Sequence, residues 1–218
     1  MARRTRSSAR KPQGKRPARA PAGRVIDRRG PVMTVERPDG STVPCIGHGK
    51  GKRAVVGDRV YLGQEADTEL ADYLITGFAP RDTELVRADA MGRRPQTLAA
   101  NVTRVFVVCA IEPPLRLGLI DRYLVGCEQA GIEGVVLFNK TDLLGNASRA
   151  AVNEVLAPYP AAGYTVLAAS AQSGEGIERV RAALEGHTSI FVGHSGVGKT
   201  SLLNALDPGL GEKVRQLS

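Results

Sequence analysis

Asn139-Lys140-Thr141-Asp142 precedes Gly193-His194-Ser195-Gly196-Val197-Gly198-Lys199-Thr200 in this chain, by about fifty residues. The second segment has the form G-x-x-x-x-G-K-[ST], a phosphate loop; the first has the N-K-x-D form that reads a guanine base. In the usual order of such a fold the phosphate loop comes first. The reversed order is a strong constraint, because both segments must still meet around one ligand. Domain termini often lie close together at the surface, so old ends can be joined and new ones opened without dismantling a site. The fold expected is an α/β P-loop GTPase domain, circularly permuted.

The pattern beyond residue 100 agrees with that fold. Val102–Ala110 is a nearly continuous β-branched apolar run, as buried parallel strands require. Leu117–Ala130 carries Ile120, Leu124 and Cys127 at helical spacing. Gly134–Phe138 predicts the next strand and delivers Asn139 at its carboxyl end. Ala147–Leu156 predicts a helix stopped by Pro158 and Pro160, Tyr164–Ala168 a strand, and Gly176–Leu184 a helix. Ser189–Val192 then feeds the phosphate loop, and a helix follows over Lys199–Leu206. Alternating strands and helices mean a doubly wound sheet, with ligands beyond the carboxyl ends of its strands.

The segment 23–80 reads differently. Gly23–Asp27, Val32–Glu36, Ser41–Ile46, Ala54–Val56, Arg59–Leu62 and Tyr73–Phe78 predict short strands, with Pro38-Asp39-Gly40 as a turn. So many short strands in so few residues predict a small all-β barrel of the oligonucleotide-binding (OB) type. The glycine- and base-rich loop 47–53 is either an RNA contact or an ordinary flexible hairpin loop. Residues 81–100 are assigned as a connector and 101–218 as the GTPase domain.

Charge is concentrated at one end. The net charge is +8, yet residues 1–24 hold nine Lys or Arg and no acid, leaving 21 basic against 22 acidic residues in the remainder. This tail (1–22) is rich in Arg, Pro, Ser and Ala without apolar periodicity, which predicts disorder. Dense positive runs meet nucleic acid; the alternative is a solubilising tail. Its prolines argue against a transit helix, and no apolar run makes it a secretory signal. Nothing downstream approaches a membrane span. Cys45, Cys109 and Cys127 lie far apart, with no metal or disulfide spacing, which fits a reducing, cytoplasmic setting.

Each motif carries its own chemistry. In the phosphate loop, Gly193 and Gly198 let successive N–H groups point at phosphates, and the helix that starts there adds its positive dipole end. Lys199 would span the β- and γ-phosphates, and the Thr200 hydroxyl would ligate Mg²⁺; these two are the catalytic candidates. His194 is expected to be a loop residue only. Asp142 can accept two parallel hydrogen bonds from the N1–H and N2–H edge of guanine, where adenine has no matching donors. Asn139 would brace neighbouring loops, and the Lys140 stem would cover a face of the base. In Ser170-Ala171-Gln172-Ser173-Gly174-Glu175-Gly176, the Ala171 N–H is placed to donate to guanine O6. Alone, N-K-x-D is weak, since Asp142 might as well cap a helix; with Ser170-Ala171 it becomes specific.

The order N-K-T-D, S-A-Q-S-G-E-G, then F-V-G-H-S-G-V-G-K-T-S-L-L-N-A-L resembles the ribosome small-subunit-dependent GTPase family (RsgA). Arg93-Arg94-Pro95-Gln96-Thr97-Leu98-Ala99-Ala100-Asn101-Val102 and Val56-Gly57-Asp58-Arg59-Val60 resemble it too, and the match runs from about residue 22 to the last. The resemblance implies an OB-type domain, a permuted GTPase domain and a zinc-binding C-terminal domain. It also implies binding to the small ribosomal subunit and its rRNA late in maturation, with GTP hydrolysis stimulated there. By resemblance, 139–142 and 193–201, including Ser201, are the segments that bind GTP or GDP. A monomer is expected.

The chain reaches Ser218 without the switch I, D-x-P-G and zinc-ligand segments the resemblance places after the phosphate-loop helix. The expectation is a truncated, incomplete copy that binds nucleotide weakly and turns it over hardly at all. Two other classes stay open: a permuted assembly GTPase of the large subunit, and a non-catalytic RNA-binding module with a nucleotide pocket.

Overall fold

The computed structural model describes residues 20–87 and 96–207. The basic tail up to residue 19, Arg93-Arg94-Pro95 and residues 208–218 lie outside them, and with them the disorder expected of the tail.

Five strands form a closed barrel: β1 (Gly23–Arg29), β2 (Val32–Glu36), β3 (Thr42–Gly47), β4 (Arg59–Glu65) and β5 (Tyr73–Phe78). Their order is β1-β2-β3-β5-β4, with β4 returning to β1. β3 and β5 run parallel and the other neighbours antiparallel, the OB-type arrangement. Alternation drives closure. Val25, Met33, Val35, Cys45, Val60 and Ile75 point inward and are all but inaccessible to water.

Two features of this half depart from the pattern read in the sequence. Ala54–Val56 is not a strand; Ala54 is buried against the barrel core, and Val56 makes a single bridge to Ala99. The loop 47–53 is not a flexible hairpin. Gly49–Arg53 is a 3-10 turn packed on β3 and β5, with the His48 N–H donating to Ile75 O at 2.8 Å. A Cβ on Gly51 would sit 1.8 Å from Ile75 O, so only glycine lets the turn close over the barrel end. Lys50, Lys52 and Arg53 remain exposed on its outside.

The connector holds a two-stranded sheet of its own, β6 (Glu84–Arg87) with β7 (Gln96–Ala100). Leu85 and Ala99 from this hairpin enter the core of the α/β half. It is also where the barrel is tied on. The Ala100 N–H donates to Val56 O (2.9 Å), and Asn101 Nδ2 donates to Gly57 O (3.0 Å). A Cβ on Gly57 would lie 1.8 Å from Ala100 O, and Gly57 has φ of 91°. V-G-D-R-V and A-A-N-V are thus pressed against each other.

The α/β half runs β8 (Arg104–Cys109), α1 (Leu117–Ala130), β9 (Glu133–Phe138), α2 (Asn146–Leu156), α3 (Pro158–Ala161), β10 (Thr165–Ala168), α4 (Ile177–Leu184), β11 (Ser189–Val192) and α5 (Lys199–Leu206). Pro158 and Pro160 do not abolish helix; they sit in the first turn of α3, where a missing N–H costs nothing. The four strands form a parallel sheet in the order β10-β9-β8-β11. Side chains of β8 alternate between two layers. Val105, Val107 and Cys109 pack under α1 with Ile120, Leu124 and Cys127, whereas Phe106 and Val108 face α4 and α5 with Ile177, Val180 and Leu202. Phe106 and Phe191, paired in register across β8 and β11, stack with centroids 4.9 Å apart. Among the described residues β11 has a neighbour on one side only.

Candidate functional site

Parallel strands end on one side of the sheet, and three loops emerge there side by side. Phe138 ends β9 and releases Asn139–Asp142; Ala168 ends β10 and leads to Ser170-Ala171; Val192 ends β11 and opens the loop Gly193–Gly198. Backbone bonds hold their roots. The Asn139 N–H donates to Cys109 O (2.8 Å), the Thr141 N–H to Ala169 O (3.2 Å) and the Ala169 N–H to Phe138 O (2.9 Å).

Asn139 joins all three loops. Its side chain is 1% exposed. Nδ2 donates to Val197 O at 2.9 Å, inside the phosphate loop, and Oδ1 accepts from the Ala171 N–H at 3.4 Å. A Cβ on Gly198 would fall 2.3 Å from Asn139 Nδ2, so the second glycine of G-x-x-x-x-G-K-T admits this contact. Gly193 answers a second close approach, its absent Cβ pointing 2.2 Å from Val108 O. Gly196 and Gly198 both have positive φ, and with Gly193 they turn the loop around the start of α5.

Lys199 lies inside that loop. It is 1% exposed, and its ammonium donates to Gly193 O (2.8 Å) and His194 O (3.0 Å). Burial pushes its pKa below the ordinary lysine value. Thr200 follows, half-buried, and Ser195, Gly196 and Ser201 are exposed. His194 Nδ1 sits 2.7 Å from the backbone Ser195 O.

At the other end, Lys140 takes the left-handed conformation (φ 64°) and opens a 3-10 turn, Thr141–Leu143. Its Nζ donates to Glu112 O (2.8 Å), and its stem runs beside Gly198. Asp142 is exposed, with Oδ1 accepting the Ser170 hydroxyl. Ser170 is fully buried, and its Oγ also accepts the N–H groups of Gln172 (3.1 Å) and Ser173 (3.0 Å).

One residue escaped the reading of the sequence. It is Glu175, within S-A-Q-S-G-E-G. Its carboxylate accepts from the Thr141 hydroxyl (2.7 Å) and from both terminal nitrogens of Arg149 (2.8 and 3.2 Å). Arg149 first, then Thr141, holds that carboxyl below its usual range. The burial of Thr141, whose hydroxyl then requires a partner, emerges only with the fold.

A glycine-bent loop at a strand-to-helix junction, a buried lysine within it and an Asn–Lys–Thr–Asp loop bonded to its rim define a P-loop fold of the permuted GTPase type. The RsgA GTPase family model matches residues 78–218. The chain belongs to the RsgA GTPase family. The Photorhabdus laumondii protein named small ribosomal subunit biogenesis GTPase RsgA is 44% identical over 191 residues, covering 85% of this chain and 54% of the relative. The like-named Azotobacter vinelandii protein is 41% identical over 202 residues, 90% of this chain and 57% of its own length. The chain thus spans about half the length of the curated relatives it matches. Among solved structures, YjeQ from Thermotoga maritima superposes with a TM-score of 0.61 at 32% identity, over 86% of this chain and 65% of that one. YloQ, described as a circularly permuted GTPase, gives 0.57 at 25% identity, over 90% and 67%.

Proposed function

We propose that this chain binds GTP and GDP between its three loops and serves, as its relatives are named for doing, in biogenesis of the small ribosomal subunit. The observation that carries the proposal is Asn139. One buried amide bonds the phosphate loop on one side and the Ala171 N–H on the other, so base end and phosphate end are parts of a single rigid frame.

Within that frame Asp142 reads the N1–H and N2–H edge of guanine, and the Ala171 N–H, held only by a long 3.4 Å bond to Asn139 Oδ1, would be shared with O6. Hydrogen bonds to a charged group are worth about 1.5–3 kcal/mol each, so their loss with adenine discriminates strongly. The lysine already buried at the centre of the phosphate loop, with two carbonyl partners, favours an anion there, and the N–H groups around Gly193–Thr200 supply donors. The Thr200 hydroxyl, at the first turn of α5, suits a hard cation such as Mg²⁺ beside the phosphates. Thr200 would help to hold such an ion, which would supply positive charge against the negative charge that develops during hydrolysis. Hydrolysis of GTP to GDP and phosphate is the family's named activity and is proposed here with Lys199 and Thr200 as its residues in the described part.

The proposal extends to partners. The arginine-rich tail and the exposed Lys50, Lys52 and Arg53 on the barrel support contact with rRNA of the small subunit; a cytoplasmic monomer is part of the same proposal. Among the described residues no helix is long and apolar enough to cross a membrane. Competition against a fluorescent GDP tests the core of the reading: GTP and GDP displace it and ATP does not. Equal displacement by ATP refutes guanine reading.

A further inference from the structure

From the ring of contacts around Asp142 we infer that Glu175 and Arg149 are positioning residues for base selection, a reading that rests on the guanine-binding role proposed above. They touch no nucleotide; they set the angle and height of the carboxylate that does.

Asp142 is exposed and sits in a short turn, so its own packing does not fix it. It is held from two sides. On one side is the preceding residue, Thr141, whose hydroxyl is buried and donates to Glu175 Oε2, while its carbonyl accepts from Arg149 (3.3 Å). On the other side is Ser170, whose hydroxyl donates to Asp142 Oδ1 and whose N–H donates to Glu175 O (2.8 Å). Glu175 therefore grips both ends of the Asp142–Ser170 contact, with its side chain on one loop and its carbonyl on the other. Arg149, from the first turns of α2, closes the ring by bonding Glu175 and Thr141 together.

A surface ion pair alone would contribute little. The difference here is that the carboxylate is also the partner of a buried hydroxyl. Removing it leaves Thr141 Oγ1 without that partner, and the turn must shift to recover one. A shift of under an ångström suffices to spoil two parallel hydrogen bonds to a base edge, whereas the phosphate loop, held through Asn139, stays in place.

Inosine diphosphate (IDP) lacks the 2-amino group, so the ratio of GDP to IDP affinity reads the second hydrogen bond to Asp142 directly. Binding of both ligands is measured on the full chain by titration calorimetry, alongside thermal melting. Wild type is expected to prefer GDP by about tenfold or more, one charged hydrogen bond. In Glu175→Ala the ratio should fall at least fivefold, and in Thr141→Val, which removes only the hydroxyl, by a similar factor. Glu175→Gln keeps an oxygen for Thr141 and should retain most of the ratio. If Glu175→Ala does not fold, Thr141→Val and Arg149→Met decide the matter. An undiminished ratio in folded Glu175→Ala, Thr141→Val or Arg149→Met overturns the inference, even where melting temperature drops, because that is what a merely structural role gives. A wild-type chain that binds GDP and IDP equally fails at the earlier step and overturns the guanine reading along with this one.

Discussion

Arg81 reaches Asp58 with two nitrogens, Nε to Oδ1 and Nη2 to Oδ2, each at 2.8 Å, and Asp58 is wholly inaccessible to water. The pair lies where the barrel meets the β6–β7 hairpin. Asp58 Oδ2 also accepts the Val55 N–H (2.8 Å), and Arg81 continues to Glu84 (2.9 Å) and Arg53 O. The Asp58 hydrogen bonds raise the pKa of Arg81, so the guanidinium stays charged throughout.

Removing Arg81 leaves Asp58 as an uncompensated buried charge, which costs about 3–5 kcal/mol. Arg81→Met should lose stability of that order in urea unfolding, and Asp58→Ala less, since Arg81 keeps its ion pair with Glu84. The double variant Asp58→Leu/Arg81→Met should recover a substantial part, since no stranded charge remains. A double variant as unstable as the two singles added together would contradict the account.

Asp142→Asn should exchange base preference. Its amide offers a donor to the 2-oxo group of xanthine and one acceptor fewer to guanine. Xanthosine diphosphate should gain affinity and GDP should lose about tenfold or more, the equivalent of a charged hydrogen bond. Competition titrations with both diphosphates check the exchange.

Lys199→Met should separate stability from binding. The depressed pKa of Lys199 means that the fold disfavours its charged form. The cost of holding the ammonium applies at neutral pH and vanishes only as pH rises past the ordinary lysine value of 10.5. A neutral, flexible Met in its place removes that cost and should leave the ligand-free melting temperature equal to or above that of the wild type, while nucleotide binding is lost. Calorimetric melting at pH 7 of both proteins, without nucleotide, is the measurement.

Glu175 predicts an acid limit. Its folded pKa is below the ordinary 4.5, so its stabilising contribution is complete above that pH and disappears as pH falls through the lower folded value. The melting difference between wild type and Glu175→Gln should be level from pH 8 to about pH 5 and shrink below about pH 4. High salt should narrow it, because the carboxylate is half-exposed. A difference that persists unchanged at pH 3 would contradict the assignment.

Much of the sheet was legible because its signal is local. Val135–Phe138 is apolar without interruption, and a strand buried on both faces needs nothing else. Ala54–Val56 looks equally β-rich, yet its fate is set by Gly57, which must meet Ala100 far along the chain. The β6–β7 hairpin was hidden for a similar reason: Glu84–Arg87 alternates weakly, and its core contribution, Leu85, packs on α1. The phosphate loop and N-K-T-D are legible as spacings since their chemistry demands fixed residue types. Glu175 is not, since its partners Thr141 and Arg149 sit 34 and 26 residues away.

The bond from Asn139 to Val197 O spans 58 residues. In a chain made from its amino end, β8, β9 and β10 can pair and fold over α1 before β11 has been synthesised. At about 5–20 residues per second, Asn139 waits roughly 3–12 s for its carbonyl partner. A nascent chain therefore passes through a stage in which the base-reading loops exist and the phosphate cradle does not. Permutation, by placing β11 last among the described strands, turns completion of the cradle into a late event in synthesis.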